Sequence, residues 1–339
     1  MNKNDAIISE FKKLINKIKN DRINEKDKKK KISHSFRLQK IKDAIVIFNK
    51  HNKTIRSGSD FDNIKGIGKG IKDRIDEIIK NGYLSELKSV NEKFSKKQIQ
   101  IMNELTTVIG IGPQTAINMM GYGIKSIDDL KKKIKQQKIK ISDNIQLGLK
   151  YHGIYKIGIP RHEMDLMEKL LQKNVINVDD ELFGIVCGSY RRLKMQSNDI
   201  DFLISHPKII TKDQLLKEKN NKLEKIVKIL RKQKFIIDDL DKNMVSMYKG
   251  FCKLGPKYPV RRIDIKFVPY DSYYTALFHL TGSGDFNKKI RLTAMSLGYK
   301  LSEYEICKYV GKKCKRFKVK SEKDIFDILG LEYVQPKHR

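Results

Sequence analysis

Two short stretches constrain the fold more than any other part of the chain. One is Gly188-Ser189-Tyr190-Arg191-Arg192 followed by Asp199-Ile200-Asp201, and the other is Arg262-Ile263-Asp264-Ile265-Lys266-Phe267. Successive side chains of a strand point to opposite faces, so Asp199 and Asp201 share one face while Ile200 and Phe202 share the other. The second stretch alternates in the same way, with Asp264 among its charged residues. Half-buried strands with this patterning need neighbouring strands and covering helices, so this half of the chain reads as α+β, a mixed sheet carrying helices.

The same residues suggest chemistry. Two carboxylates on one face repel each other unless cations lie between them, and Mg²⁺ is a hard ion that prefers oxygen ligands. Asp264 is placed to complete a three-carboxylate cluster. Upstream, Gly188 and Ser189 offer backbone N–H groups and a hydroxyl to phosphate oxygens, and Arg192 adds a charge-assisted fork. Asp199 and Asp201 alone fit equally well a solvated sheet face where acids balance Arg and Lys. The upstream turn and the third aspartate favour chemistry instead. Together they describe two-metal nucleotidyl transfer, in which one ion activates a hydroxyl and the other holds a triphosphate and its leaving pyrophosphate.

The rest of the chain divides around this half. Residues 1–92 are basic and helical in pattern, with Ile7, Phe11, Leu14 and Ile18 recurring at helical spacing. The run Lys28-Lys29-Lys30-Lys31 reads as a solvated connector, with a nuclear import signal or a DNA-contacting loop as alternatives, and turn residues near Gly58 and Gly82 separate helical stretches. A second helical block spans 93–156. The region 157–270 follows, with Pro160 expected to open a helix, strands expected at 184–188, 200–204 and 263–268, and a Lys-rich helix expected over 212–234. A small unit, 271–339, mixes short helices and strands. Gly66-Ile67-Gly68 and Gly110-Ile111-Gly112-Pro113 form an internal echo between helices. Each fits a helix-hairpin-helix, where glycines let the backbone approach a phosphate and the next helix presents N–H groups to it.

Seventy-two Lys and Arg against forty acidic residues leave a formal charge of +32, which points to a polyanionic partner, nucleic acid first. An AT-rich coding bias toward Lys, Asn and Ile contributes to it. The four cysteines, Cys187, Cys252, Cys307 and Cys314, form no C-x-x-C pair and have no partnering histidines. Neither a zinc site nor a disulfide is expected, which fits a reducing compartment. No apolar run reaches membrane-spanning length, and no signal peptide is evident.

In order and spacing, these motifs resemble the family X DNA polymerases over nearly the whole chain. The matching segments are Ser57-Gly58, both glycine hairpins, Gly148-Leu149-Lys150-Tyr151, Cys187-Gly188-Ser189, Asp199-Ile200-Asp201 and Arg261-Arg262-Ile263-Asp264-Ile265. They continue with Thr281-Gly282, Phe286-Asn287-Lys288, Glu303-Tyr304 and residues 321–327. The resemblance implies a lyase-type domain at 1–92, a thumb-like DNA-binding domain at 93–156, a catalytic palm at 157–270 and a nucleotide-selecting subdomain at 271–339. It implies that Asp199, Asp201 and Asp264 hold two Mg²⁺ ions, with Mn²⁺ as a substitute. Gly188, Ser189, Arg192, Asn198 and Asn287 would bind the nucleotide. Gly66, Gly68, Gly110, Gly112, Arg37, Arg262, Arg291 and Tyr304 would contact DNA. The backbone at Asp62, Ile64 and Ile67, and at Thr106, Val108 and Ile111, would hold Na⁺ or K⁺.

The implied activity is template-directed filling of short gaps in DNA repair by a monomer. Its partners are gapped or nicked DNA and dNTP, with a ligase as pathway neighbour and no membrane. The implied place is at DNA, in a nucleus or in a viral replication compartment or virion. The length is expected to leave no room for a BRCT or proofreading domain. The alternatives are a template-independent nucleotidyltransferase and a non-catalytic DNA-binding scaffold.

Several positions depart from the family pattern. Arg74 stands where the family's lyase lysine forms a Schiff base, and a guanidinium cannot be that nucleophile. Lys72 is near in sequence but on another helix face. Asp62 and Gly70 occupy other basic positions of that pocket. Weak or absent lyase activity is therefore expected, unless another amine substitutes. In the palm half, His279-Leu280 replaces a Tyr-Phe pair, Gly284 an aspartate, Asn198 a glycine and Lys266 an arginine. Polymerisation is expected to survive these changes, with fidelity and sugar discrimination altered. His279 reads as a packing or minor-groove residue rather than a catalyst, and the pair Tyr273-Tyr274 as core rather than a base-stacking platform.

Overall fold

A computed structural model describes residues 4–62, 64, 66–87, 95–154, 157–218, 221–241, 244–311 and 313–339. The chain divides into two compact units, Met1–Lys93 and Phe94–Arg339.

The first unit is helical. Helices α1 (Asp5–Asn24), α2 (Lys28–Lys50) and α3 (Lys69–Asn81) enclose one core. Ile7, Phe11, Leu14 and Ile18 are all buried, as their spacing predicts. Phe11 meets Phe48 edge-on at 5.0 Å, and Phe48 packs on Phe61 at 5.4 Å. Burial of each such ring contributes roughly 1.5–3 kcal/mol. The lysine run is not a connector. Lys28 to Lys31 form the first turn of α2, where the Asp27 carboxylate accepts the Lys30 N–H at 2.9 Å. That cap outweighs the poor match between lysines and a helix N-terminus.

The second unit begins with four helices, α4 (Lys96–Leu105), α5 (Pro113–Gly121), α6 (Ile127–Lys135) and α7 (Asp143–Lys150), around a core of their own. Both glycine hairpins have the same local construction. In one, Ile67 N–H donates to Ile64 O at 3.2 Å, Gly66 has φ 105° and Gly68 caps α3. In the other, Ile111 N–H donates to Val108 O at 3.1 Å, Gly110 has φ 91° and Gly112 caps α5. The left-handed turn favours glycine at the first position, and the buried isoleucine between the glycines anchors the loop. Lys150 and Tyr151, at the end of α7, both donate to Asp238, and the Tyr151 ring packs on Phe251 at 4.2 Å.

A five-stranded sheet follows. The elements of this part are β1 (Ile159–Pro160), α8 (Arg161–Val178), β2 (Phe183–Val186), α9 (Gly188–Arg191), β3 (Gln196–Ser197), β4 (Ile200–Ser205), α10 (Lys212–Leu216), α11 (Lys222–Lys232), β5 (Ile236–Asp239), β6 (Met247–Cys252) and β7 (Arg261–Phe267), with β1 and β3 paired in a separate two-stranded sheet. The strand order is β2-β4-β7-β6-β5, with β4 and β7 parallel and the other pairs antiparallel. Helices α8 and α11 pack over Ile200, Phe202, Ile204, Ile263 and Ile265. A buried bidentate pair, Arg261 to Glu163 at 2.7 and 2.9 Å, ties β7 to α8.

Three details differ from the sequence expectation. Pro160 lies in the β1–β3 pair, and its helix begins one residue later. The expected helix over 212–234 is two helices, because Thr211 and Asn221 each cap a new N-terminus. Strands β5 and β6 add an antiparallel extension that alternation alone does not signal.

The chain ends with α12 (Tyr273–Thr281), α13 (Gly284–Ser296), β8 (Tyr299–Leu301), β9 (Ile306–Val310), β10 (Lys313–Arg316) and α14 (Glu322–Ile328). Tyr273 and Tyr274 pack against cores here, in agreement with the packing reading. The cysteine expectation is overturned. Cys307 and Cys314 form a disulfide across the β9–β10 hairpin, with Cα atoms 5.5 Å apart. Cys314 faces Tyr309 and Cys307 faces Arg316, so the two meet diagonally, a relation only the hairpin register creates. Among the described residues, no helix is long and apolar enough to cross a membrane.

Candidate active site and its carboxylate cluster

Strands β4 and β7 lie side by side with Asp201 directly opposite Asp264. Asp199 stands just before β4 on the same face, so the parallel register brings the three carboxylates together. Gly188, with φ 57°, opens the turn beside them, and a Cβ there would lie 2.7 Å from Asp201 Oδ2. Glycine is thus required both by the backbone conformation and by the close approach.

Burial first, and then Asp199 and Asp264, push the Asp201 carboxyl up to about 7, against the opposing pull of Arg262 and Arg192. Burial also raises the Asp199 carboxyl, with Arg262 acting the other way. Arg262 bridges the acids. Its Nη2 lies 2.6 Å and its Nε 3.2 Å from Asp264, and Nη1 is 3.7 Å from Asp199. Arg262, expected on DNA, therefore stands on the carboxylates, because they are the strongest anionic field within its reach. Three acids this close form an all-oxygen donor set that fits a hard divalent cation.

The nucleotide candidates line the approach. Ser189 Oγ donates to Ser197 Oγ at 2.9 Å, and Asn198 is exposed just before Asp199. Arg192 Nη1 donates to Thr281 O at 2.5 Å. Its Nε is buried without a partner among the described residues, a donor suited to an anionic ligand. The Asn287 amide donates to His279 O at 2.6 Å, and Arg291 Nη2 lies 3.1 Å from His279 Nδ1. The Tyr304 ring lies 5.2 Å from Lys266 Nζ, and that ammonium pairs with Glu303 at 2.5 Å.

Sequence reasoning missed the braces around this site. Arg191 donates to Thr281 Oγ1 and to Glu322, both at 2.6 Å. Glu322 in turn takes Arg339 at 2.6 Å, and that guanidinium lies among Phe278, Phe286, Phe326 and Tyr333. No local pattern links residues so far apart in the chain.

A second acidic group, Asp179, Glu181 and His206, has ligand atoms within 4.8 Å of one another. Lysines already serve it, Lys222 on Asp179 at 3.2 Å and Lys208 on Glu181 at 2.5 Å. His206 Nδ1 accepts the Lys208 N–H at 3.0 Å, which places the proton of a neutral ring on Nε2, the nitrogen facing Asp179. This tautomer makes it a weaker metal site than the three aspartates.

In the first unit, the pocket expected to serve a lyase is a cavity of about 1060 Å³ whose lining includes Arg37, Lys40, Asp62, Gly66, Gly68 and Arg74. Arg37 and Arg74 both pair with Glu86, Arg74 at 2.6 Å. Lys72 pairs with Asp62, itself part of the cavity lining, at 2.6 Å.

The carboxylate-bearing sheet, the glycine turn and the capping α+β subdomain define a nucleotidyltransferase palm. Residues 158–270 match the family model described as DNA polymerase beta palm. Residues 276–339 match DNA polymerase beta thumb, and 103–154 match the fingers domain of DNA polymerase lambda. The chain belongs to the family X DNA polymerases. It is 32% identical to DNA polymerase lambda of Arabidopsis thaliana over 317 residues, covering 87% of this chain and 56% of that protein. It is 27% identical to DNA polymerase lambda of Rattus norvegicus over 309 residues, covering 87% and 51%. It is 25% identical to DNA-directed DNA/RNA polymerase mu of Homo sapiens over 289 residues, covering 78% and 57%. The chain thus spans about half the length of the curated relatives it matches. The names fingers and thumb fall on the second block and the last unit, the reverse of the thumb-like label given to residues 93–156.

Proposed function

We propose that this chain is a template-directed DNA polymerase that fills short gaps during DNA repair, joining a dNTP to a primer 3′-hydroxyl with release of pyrophosphate. The observation that carries this reading is the meeting of Asp199, Asp201 and Asp264 beside the Gly188-Ser189 turn. Those three aspartates would hold the divalent ions, Mg²⁺ or Mn²⁺. Bound there, divalent ions supply charge neutralisation and a lowered hydroxyl pKa. Asp264 would be the ligand and proton acceptor nearest the primer hydroxyl. A divalent charge there would compete with Arg262 for the acids, and Arg262 would then be available to DNA. Ser189 and Arg192 receive the triphosphate, and the unpartnered Arg192 Nε supports this assignment. Asn198 and Asn287 complete the nucleotide side, and Arg291 and Tyr304 the DNA side.

The remaining assignments follow the same reading. Residues 1–92 form a lyase-type domain, 93–156 a DNA-binding domain, 157–270 the palm and 271–339 the nucleotide-selecting subdomain. Gly66 and Gly68, Gly110 and Gly112, with Arg37, meet the DNA backbone, and the hairpin carbonyls hold Na⁺ or K⁺. The protein works as a monomer on gapped or nicked DNA, upstream of a ligase, in a nucleus or a viral replication compartment. With Arg74 at the nucleophile position, lyase activity is weak or absent unless another amine, such as Lys40 in the cavity lining, substitutes.

Gap filling by the full chain with Mg²⁺, compared with Asp264→Ala, tests the proposal. Incorporation that follows the template base and disappears in the variant is the expected result. Product whose sequence ignores the template would replace this reading with a template-independent transferase. Tight binding of gapped DNA without incorporation would leave a scaffold.

A further inference from the structure

His279 has no part in the chemistry above, yet it joins three separate segments. Its backbone carbonyl accepts the Asn287 amide at 2.6 Å. Its Nδ1 lies 3.1 Å from Arg291 Nη2 and 3.4 Å from Asn287 Nδ2, and its Nε2 lies 3.6 Å from Glu303 Oε2. That same Glu303 oxygen receives Lys266 Nζ at 2.5 Å, and Lys266 stands two residues beyond Asp264 on β7. A guanidinium only donates, so Nδ1 must accept and the ring proton sits on Nε2, facing Glu303.

A second observation points to a ligand. Asn287 is 8% exposed, and its Oδ1 is buried without a partner among the described residues. Flipping the amide would set that oxygen against the His279 carbonyl, two acceptors face to face, so the main chain of His279 fixes the amide and leaves Oδ1 for an outside donor. A Cβ on Gly282 would lie 3.2 Å from Arg192 Nη1 and 4.0 Å from Asn287 Nδ2, so both side chains flank one turn.

We propose that His279 is a specificity-determining positioning residue: its ring and main chain hold Asn287 and Arg291 in register with the Lys266–Glu303 pair. Recognition of the nascent base pair is thereby coupled to the strand that carries Asp264. The inference rests on the polymerase reading. Burial first, and then Arg291, push the imidazole down to about 4, so the ring stays neutral and keeps its acceptor near neutral pH.

The test is single-nucleotide gap filling by the full chain, with matched and mismatched dNTPs, for wild type, His279→Phe, His279→Gln, Glu303→Gln and the Phe/Gln double variant. His279→Phe should lower the matched-to-mismatched ratio of kcat/KM about tenfold, mostly through KM for the matched dNTP. His279→Gln keeps an acceptor and a donor and should restore most of the ratio. The double variant should lose less than the product of the single losses. Discrimination within about twofold of wild type in His279→Phe would overturn the proposal. So would a glutamine variant as poor as the phenylalanine one, or fully multiplicative losses. A wild type that cannot extend a gapped primer sinks the polymerase reading and this inference with it. An active wild type whose selectivity is unmoved sinks only the role of His279.

Discussion

Guanidinium groups meet carboxylates in both the palm and the helical N-terminal unit, but the consequences differ. In the palm, Arg262 rests on Asp264 and Asp199. On the proposed reading the acids are the groups that would hold the divalent ions, and a divalent charge could take the arginine's place without altering them. In the N-terminal cavity, Arg37 and Arg74 both close on Glu86. There the chemistry would need an amine, and no rearrangement turns a guanidinium into one. Ion pairing alone therefore says little about activity; the identity of the atom that must react decides it.

The largest effect should come from the palm. Asp264→Ala should lower kcat for gap filling by roughly 10⁴-fold, since it removes the carboxylate that would hold the catalytic ion. Substantial residual incorporation would place the chemistry elsewhere and dissolve the contrast. Next in size is the brace under the site. Glu163→Ala strands Arg261, 3% exposed, without its acid and should cost about 3–5 kcal/mol in denaturant unfolding. Unchanged stability would mean the β7–α8 tie is incidental.

The palm should also respond to pH. Metal binding must displace the proton that Asp201 holds below about 7. The Mg²⁺ concentration for half-maximal activity should rise as pH falls through that value, by up to about tenfold per unit, and level off above it. Half-saturation constant from roughly pH 8 to pH 5.5 would contradict the crowded carboxylate cluster.

The smallest change places an amine at position 74 of the N-terminal unit. Wild type should give little borohydride-trapped adduct with incised abasic DNA, and Arg74→Lys should raise it by about tenfold. Strong trapping by wild type would show that another amine has taken over, and the two regions would then be equally competent.

Much of the palm was legible because its signals are local. Alternation in Asp199-Ile200-Asp201-Phe202 and in 262–267 follows from the two-residue period of a strand, and the structure keeps both core faces. The glycine hairpins were legible for the same reason, each being a short loop between helices. The split of 212–234 into two helices turned on the caps at Thr211 and Asn221, which the lysine-rich periodicity hid. Strands β5 and β6 were not legible, because Ile236–Asp239 shows no alternation and Gly250 interrupts the other run.

By itself the sequence determined the carboxylates, the glycine turn beside them and the paired hairpins. These depend on residue type and near spacing, which a linear chain records directly. Only the tertiary structure decided that Arg262 sits on the acids, that Glu86 closes both N-terminal arginines, that Cys307 finds Cys314, and that His279 joins Arg291 to Glu303. Each of those contacts depends on strand register or helix placement. Such geometry is set by how whole faces pack, and so it leaves no mark in the spacing of the residues it brings together.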